Sequence, residues 1–196
     1  MSHAGLGEER TKSQPNGSDL CLACGLCCNG VLFDQGVLLP TEFNLAHEIG
    51  LTILAGDDNE MPTFRMPCPC FQQGRCSTYR KRPEACGRYR CDLLQALKTQ
   101  EIDLDAALEQ VAQAKALIAE IELLIEDTNV SESANETMGE AMSIWQRAQQ
   151  FAKRHGLHLH STEFTRSFPQ IQLKISALYL LCDRHFEHFM SKPADG

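Results

Sequence analysis

The stretch CLACGLCC, residues 21–28, places four cysteines within eight positions. In a C-x-x-C pair the two intervening residues can form a tight turn, so that both sulfurs converge on one metal ion. Gly25 stands where a positive φ is inexpensive, and a glycine there exposes backbone N–H groups that can hydrogen-bond to sulfur. Thiols at this density predict either a metal site or a disulfide framework.

Composition favours the metal site. A chain of 196 residues with 43% hydrophobic residues can bury an ordinary core, so it does not need disulfides in order to fold. Its start has no apolar run like that of a signal peptide, and no later stretch approaches the length of a membrane span. We therefore expect a soluble cytoplasmic protein, in which ordinary cysteines stay reduced.

A second group of cysteines lies in CPCFQQGRCSTYRKRPEACGRYRC, residues 68–91, and only Cys182 lies outside the two groups. The opening C-x2-C-x2-C matches the start of the bacterial ferredoxin pattern. The next cysteine, however, follows at once as Cys28, and the Cys-Pro pair is distant, at Cys68-Pro69. The match to ferredoxin is thus partial, and the spacing predicts a thiolate-rich site built from two segments.

Together the two segments resemble the YkgJ-type cysteine-cluster family, the zinc- or iron-chelating CxxCxxCC domain. Its pattern is C-x2-C-G-x-C-C, then C-P-x-L, then G-x-C-x-I-Y-x-x-R-P-x-x-C-R. The matching residues are Cys21, Cys24, Cys27, Cys28, Cys68, Gly74, Cys76, Tyr79, Arg82, Pro83 and Cys86. Cys70 stands at the x of C-P-x-L, where the family usually has an apolar residue, Gly87 replaces the last arginine of the pattern, and Cys91 is additional. The resemblance covers residues 21 to about 91 and implies binding of a metal or an iron–sulfur cluster.

The number of thiols predicts more than one metal atom. A single zinc ion takes four ligands, so seven family cysteines suit two zinc sites, or an iron–sulfur cluster with or without a second ion. The predicted metal ligands are Cys21, Cys24, Cys27, Cys28, Cys68, Cys76, Cys86 and Cys91. The predicted cofactor is zinc or iron, including a [4Fe–4S] cluster. Cys70 remains open between a ligand and a buried free thiol.

Positive charge is concentrated beside the second cysteine group, although the net charge of the chain is −8. The six basic residues are Arg75, Arg80, Lys81, Arg82, Arg88 and Arg90. They indicate either a nucleic-acid surface or local compensation of a negative thiolate site. We favour compensation, because an acidic protein repels phosphate backbones at long range. The expected partner is a protein, with neither nucleic acid nor membrane.

Local patterns predict short strands first and long helices later. VLFDQGVLL, residues 31–39, predicts a hairpin, and Thr41 is expected to cap a short helix that ends at Gly50. Apolar residues recur at helical spacing over residues 104–125, over 138–152 and after Pro169. In the last of these helices Tyr179 and Cys182 fall on the apolar face, and Cys182 is expected to be a packed core thiol rather than a ligand.

These patterns define the expected organisation. Residues 1–18 are a disordered tail, 19–95 a cysteine-cluster metal-binding module, and 96–192 a helical region that packs on it. The fold class is mainly α, with an irregular, metal-stabilised N-terminal module of short strands and a C-terminal helical bundle.

The sequence leaves the type of function open. It has no P-loop, G-x-G-x-x-G or H-E-x-x-H motif, so no catalytic residue is assigned and enzymatic activity is undecided. The leading hypothesis is a metal-binding protein with a multi-cysteine zinc or iron–sulfur site, redox-active in electron transfer or beside an oxidoreductase. The alternatives are a structural zinc module that presents a helical protein-interaction surface, and a metal-handling protein.

Overall fold

A computed structural model describes residues 17–54, 61–128 and 141–186. The predicted disordered tail lies outside the described residues, apart from Gly17 and Ser18, which begin the first helix. The eight helices of the described part are α1 Gly17–Cys24, α2 Phe43–Glu48, α3 Glu84–Arg88, α4 Asp92–Lys98, α5 Leu104–Thr128, α6 Ile144–Arg154, α7 Thr162–Ser167 and α8 Pro169–Phe186. The prediction of a mainly α protein is confirmed.

Helix α5 is the longest element, with 25 residues, and it packs along α8. Its buried side chains recur every three, four or seven residues, as an amphipathic helix requires. They are Ala107, Val111, Ala114, Ile121 and Ile125. The small alanines allow neighbouring helices to approach α5 closely, and the larger aliphatic side chains fill the space between the helices.

Helix α6 begins later than its sequence pattern predicts. Ser143 is its N-cap: the Ser143 hydroxyl accepts the N–H of Gln146, and the Gln146 side chain accepts the N–H of Ser143. This capping box fixes the start at Ile144. Met142 therefore precedes the helix and is exposed, whereas residues 138–140 lie outside the described ranges.

Helix α8 buries one apolar stripe, made of Ile171, Ile175, Leu178, Cys182 and Phe186. Cys182 is fully buried in that stripe, which confirms its prediction as a packed core thiol. The expectation that Tyr179 shares the buried face is wrong, since its side chain is 37% exposed. Tyr179 follows Leu178 directly, and successive helical residues are 100° apart around the axis.

The predicted hairpin of residues 31–39 is also wrong. Strand β1, Gln35–Val37, pairs antiparallel with β3, Thr63–Arg65, which pairs on its other side with β2, Ile53–Leu54. Val31 and Leu32 are buried among the helices, so they are not available to pair with β1. A second small sheet joins β4, Phe71–Gln72, to β5, Arg75–Cys76.

Helix α2 follows a 3-10 turn, Pro40–Glu42, and its N-cap is Glu42 rather than the predicted Thr41. The Glu42 carboxylate accepts the N–H of Leu39 and the N–H of Glu84, and so ties α2 to the start of α3. The predicted end of α2 at Gly50 is confirmed, where φ is +74°.

Buried apolar residues form two separate cores. The larger one, here the helical core, joins the helices to Leu20, Leu26, Val31 and Leu32 from the first cysteine segment. It therefore crosses the predicted boundary between residues 95 and 96. The smaller one, here the sheet core, consists of Leu38, Ala46, Leu51, Phe64, Met66 and Cys70.

No helix in the described ranges is both long enough and apolar enough to cross a membrane.

Candidate metal centre

The first two predicted ligands lie on a helix rather than in a turn. Cys21 and Cys24 occupy the last turn of α1, three residues apart, so their side chains share one face. Helix α1 packs against α4 and α5. The two thiols are therefore held by the helical part of the molecule, which the C-x-x-C spacing alone did not reveal.

Gly25 ends α1 and turns the chain back, with φ of +73°. A Cβ at this position would lie 2.3 Å from Cζ of Phe71 in β4, far below a normal contact distance. The N–H groups of Cys28 and Asn29 both donate to the Gly25 carbonyl at 2.9 Å. Glycine is thus required twice, for the positive φ that the sequence predicted and for the close approach of an aromatic ring.

The turn that carries Cys27 and Cys28 is anchored from the helices. Leu26 is fully buried, and the indole N–H of Trp145 in α6 donates to the carbonyl of Val31 at 2.8 Å. Because this hydrogen bond is buried and spans 114 positions of the chain, it fixes the exit of the turn against α6. The apolar spacing over residues 138–152 predicts a helix there but gives no sign of this contact.

The cysteines of the second segment reach the site from the sheets and from α3. The Cys68 N–H donates to the Cys28 carbonyl at 2.7 Å, which joins the two cysteine segments directly. Cys76 lies in β5 opposite Phe71, and its sulfur is 3.7 Å from the Thr78 hydroxyl. Cys86 lies in α3, beside the sheet core.

Cys91 is the N-cap of α4, and its sulfur accepts the N–H of Leu94 at 3.4 Å. A backbone N–H that points at sulfur favours the thiolate form. This residue lies beyond the family pattern, yet the structure places it with the cysteines of the first segment, because α4 packs against α1.

All eight predicted ligands line one cavity of about 340 Å³. They come from α1 and its following turn, the Cys68 loop, β5, α3 and the start of α4. Within the described ranges, no group of three or more Cys, His, Asp or Glu side chains is drawn together tightly enough to form a metal site. The thiols surround a volume, and they do not converge on one point.

Aromatic side chains close one side of this cavity. Phe33 and Tyr89 meet edge to face with ring centroids 4.7 Å apart, and the Tyr89 hydroxyl donates to the Phe186 carbonyl at 3.1 Å. All three residues line the cavity. Phe33 follows the first cysteine segment, Tyr89 follows α3 and Phe186 ends α8, so three parts of the chain meet at this side of the cavity. Their rings give the thiols an apolar surrounding.

Burial makes the thiols of the cavity weak acids. It raises the pKa of Cys24, Cys28 and Cys68 to about 12 and that of Cys86 to about 11, and neighbouring cysteines add to the rise. The pKa of Cys27 is raised well above its usual value for the same reasons. Buried thiolates at this density repel one another, so a bound cation is what would favour their deprotonation.

Basic side chains partly offset this effect. The charges of Arg82, Arg90 and Lys98 act against the rise that burial causes in the pKa of Cys21. Arg82 has the same effect on Cys86, so its charge reaches thiols of both segments. The Arg82 guanidinium lies 3.8 Å above the centre of the Tyr79 ring, a cation–π contact that holds it beside the cavity.

Other basic residues of the segment have local partners. Arg88 pairs with Glu84 at 2.8 Å, and Arg90 donates to the carbonyls of Gly87 and Tyr89. On the helical side, Lys115 of α5 donates to the Ala23 carbonyl at the end of α1, and its charge lowers the pKa of Cys24 against the effect of burial. Arg88 is thus paired with a carboxylate rather than with a thiol.

Two cysteines do not line the cavity. Cys70 is buried in the sheet core, and its thiol donates to the Ile49 carbonyl at 3.2 Å. Cys182 is buried in the helical core, where burial raises its pKa to about 12 and Cys24 adds to the rise. Both have the environment of packed thiols, although Cys70 is close enough to Cys68 to affect its pKa.

Comparison of the chain with protein families, with curated proteins and with solved structures finds no match.

Proposed function

We propose that this protein binds metal through a multi-cysteine site, and that the site holds iron–sulfur chemistry or zinc. The observation that supports the proposal is the cavity: eight cysteines from separate parts of the chain line it together. Thiolates are soft ligands that select zinc and iron–sulfur clusters over hard cations such as Mg²⁺. The resemblance to the cysteine-cluster family points to the same chemistry.

The volume of the cavity favours a polynuclear group or several ions over a single zinc. Four thiolates about 2.3 Å from one zinc ion lie only about 3.8 Å from each other, which leaves no cavity between them. The cavity that the eight cysteines line together with apolar residues has a volume of about 340 Å³. An iron–sulfur cluster, which carries its own bridging sulfides, occupies such a volume with cysteines at its edge.

An apolar surrounding suits a redox role. The rings of Phe33, Tyr89 and the Phe186 side chain line the cavity together with Leu20, Leu32 and Leu94. Exclusion of water and the charges nearby are among the properties by which a protein tunes the potential of a cluster. We therefore propose electron transfer, or a step beside an oxidoreductase, as the function of an iron–sulfur form.

A structural zinc module with a protein partner is the second candidate, because the helices expose large apolar side chains. Leu173 and Leu180 lie two helical turns apart on α8 and are 61% and 64% exposed, and Leu123 on α5 is 59% exposed. A helix face with such residues can bind a partner whatever the metal does. In this case the metal would stabilise the fold, and the exposed helix faces would bind the protein partner.

Purification of the full chain without oxygen, followed by elemental analysis and an absorption spectrum, separates these candidates. Brown protein with iron and acid-labile sulfide supports the iron–sulfur form, and colourless protein with firmly bound zinc supports the structural module. Metal that exchanges rapidly with a chelator would indicate metal handling. Protein that binds neither iron nor zinc would overturn the proposal.

A further inference from the structure

We propose that the eight cysteines form two separate four-thiolate sites that meet at the peptide bond between Cys27 and Cys28. The first, here the helix site, consists of Cys21, Cys24, Cys27 and Cys91. The second, here the sheet site, consists of Cys28, Cys68, Cys76 and Cys86. This inference rests on the proposed metal binding and adds the number of sites and their ligands.

Packing assigns the helix site. Its four cysteines are all half-buried against the helical core, and none of them contacts the sheet core. Cys21 and Cys24 share a face of α1, and Cys91 caps α4, which packs on α1. The same core therefore positions all four thiols.

Packing also assigns two members of the sheet site. Cys68 and Cys86 are half-buried against the sheet core, which is separate from the helical core. Cys76 belongs to β5, whose partner strand β4 begins three residues after Cys68. The Cys28 carbonyl accepts the Cys68 N–H at 2.7 Å, which ties Cys28 directly to the second segment.

Adjacent cysteines can serve two sites because their side chains need not point the same way. The Cα atoms of Cys27 and Cys28 are about 3.8 Å apart across their peptide bond. The turn that follows Gly25 directs Cys27 toward the helical core and leaves Cys28 beside the Cys68 loop. The doubled cysteine of the sequence thus becomes the link that holds two metal centres close together.

Four thiolates are a complete ligand set for one zinc ion or one [4Fe–4S] cluster. The division uses all eight cysteines that line the cavity, and it leaves out Cys70 and Cys182, which do not line it. It also gives a role to Cys91, which the family pattern lacks: without it the helix site would have three cysteines.

One cysteine of each site provides the test. Cys91→Ser keeps a good N-cap for α4, and Cys76→Ser lies in a two-residue strand, so neither change should unfold the helices. Cys182→Ser is the control, a buried cysteine of the helical core that does not line the cavity. Each full-length apo protein is titrated with Co²⁺, whose thiolate absorption reports binding, and circular dichroism checks that the helices are intact.

We expect the unmodified chain and Cys182→Ser to bind about two tightly held ions, and Cys91→Ser and Cys76→Ser to keep about one each. The double variant should bind none tightly.

If either single variant loses both ions while its helices stay intact, the thiols form one site and the division is wrong. If Cys91→Ser keeps both ions, the helix site is wrongly assigned. If the unmodified chain binds no ion, the proposed function itself fails.

Discussion

The helical core and the sheet core differ in how far the burial of their own side chains can stabilise them. Among the described residues the helical core buries 23 side chains, including Phe151, Phe164 and Phe186, whereas the sheet core buries six. The strands around the sheet core have only two or three residues each. A core this small does not offset the conformational entropy of the loops around it. One part of the protein can therefore fold by burial, and the other needs a further source of stability, for which we propose metal.

Metal removal has the largest expected effect and tests whether the sheet core, unlike the helical core, depends on metal for its stability. Structural zinc contributes on the order of 10 kcal/mol in small thiolate domains. We expect a chelator to unfold residues 35–54 and 61–88, with loss of amide protection in β1–β5, while α5, α6 and α8 keep theirs. Hydrogen exchange on the full chain with and without metal measures the difference. Equal protection of β3 in both forms would show that the sheet core is stable without metal.

A pair of phenylalanine variants compares the two cores directly. Phe151 and Phe64 are both fully buried, the first in the helical core and the second in the sheet core. Truncation of a buried phenylalanine costs about 3–5 kcal/mol. Phe151→Ala should lower the free energy of unfolding with or without metal. Phe64→Ala should lower it only in the metal-loaded protein, because apo protein has already lost the sheet core. Denaturant unfolding of both forms supplies the four values, and a Phe64→Ala effect of equal size in apo protein would contradict the comparison.

Gly25, which packs against Phe71 of β4, is expected to support both the stability of the fold and metal binding. Gly25→Ala combines the strain of a positive φ, about 1–2 kcal/mol, with a clash against Phe71. Gly50→Ala is the matched control, because its φ of +74° is almost the same while nothing lies within 4 Å of its added Cβ. We expect Gly25→Ala to lower both the melting temperature and the metal content, and Gly50→Ala to lower the melting temperature alone. Equal metal contents would show that Phe71 can move aside at no cost to the site.

Arg82 should have the smallest effect, since its charge acts on Cys21 and Cys86 without being a ligand. Loss of a side chain that supports metal ligands typically lowers affinity about 10- to 100-fold. Arg82→Gln should therefore weaken metal binding, whereas Arg80→Gln, at an exposed position of the same turn, should not. Competition with a chelator measures both affinities. Arg82→Lys tests the contact with Tyr79, because it keeps the charge and removes the planar group that stacks on the ring.

Sequence patterns succeed where the deciding interactions are local. The apolar repeat of α5, the positive φ of Gly25 and the burial of Cys182 each depend on residues within a turn or two of helix, or on one side chain. The predicted hairpin failed because Val31 and Leu32 pack against distant helices, an influence that the alternation of apolar residues does not contain. The early start predicted for α6 failed because the capping box at Ser143 outweighs the apolar pattern before it.

What the sequence determined by itself is the set of thiols: their number, their two segments, and the eight that line the cavity. Spacing is a local property, and it identifies cysteines that a site can use. Only the tertiary structure decided which core each cysteine packs against, since that depends on contacts such as Trp145 with Val31 and Cys68 with Cys28. The assignment of Cys91 shows the physical reason most directly. Its distance along the chain places it with Cys86, but the packing of α4 on α1 places it with Cys21 and Cys24.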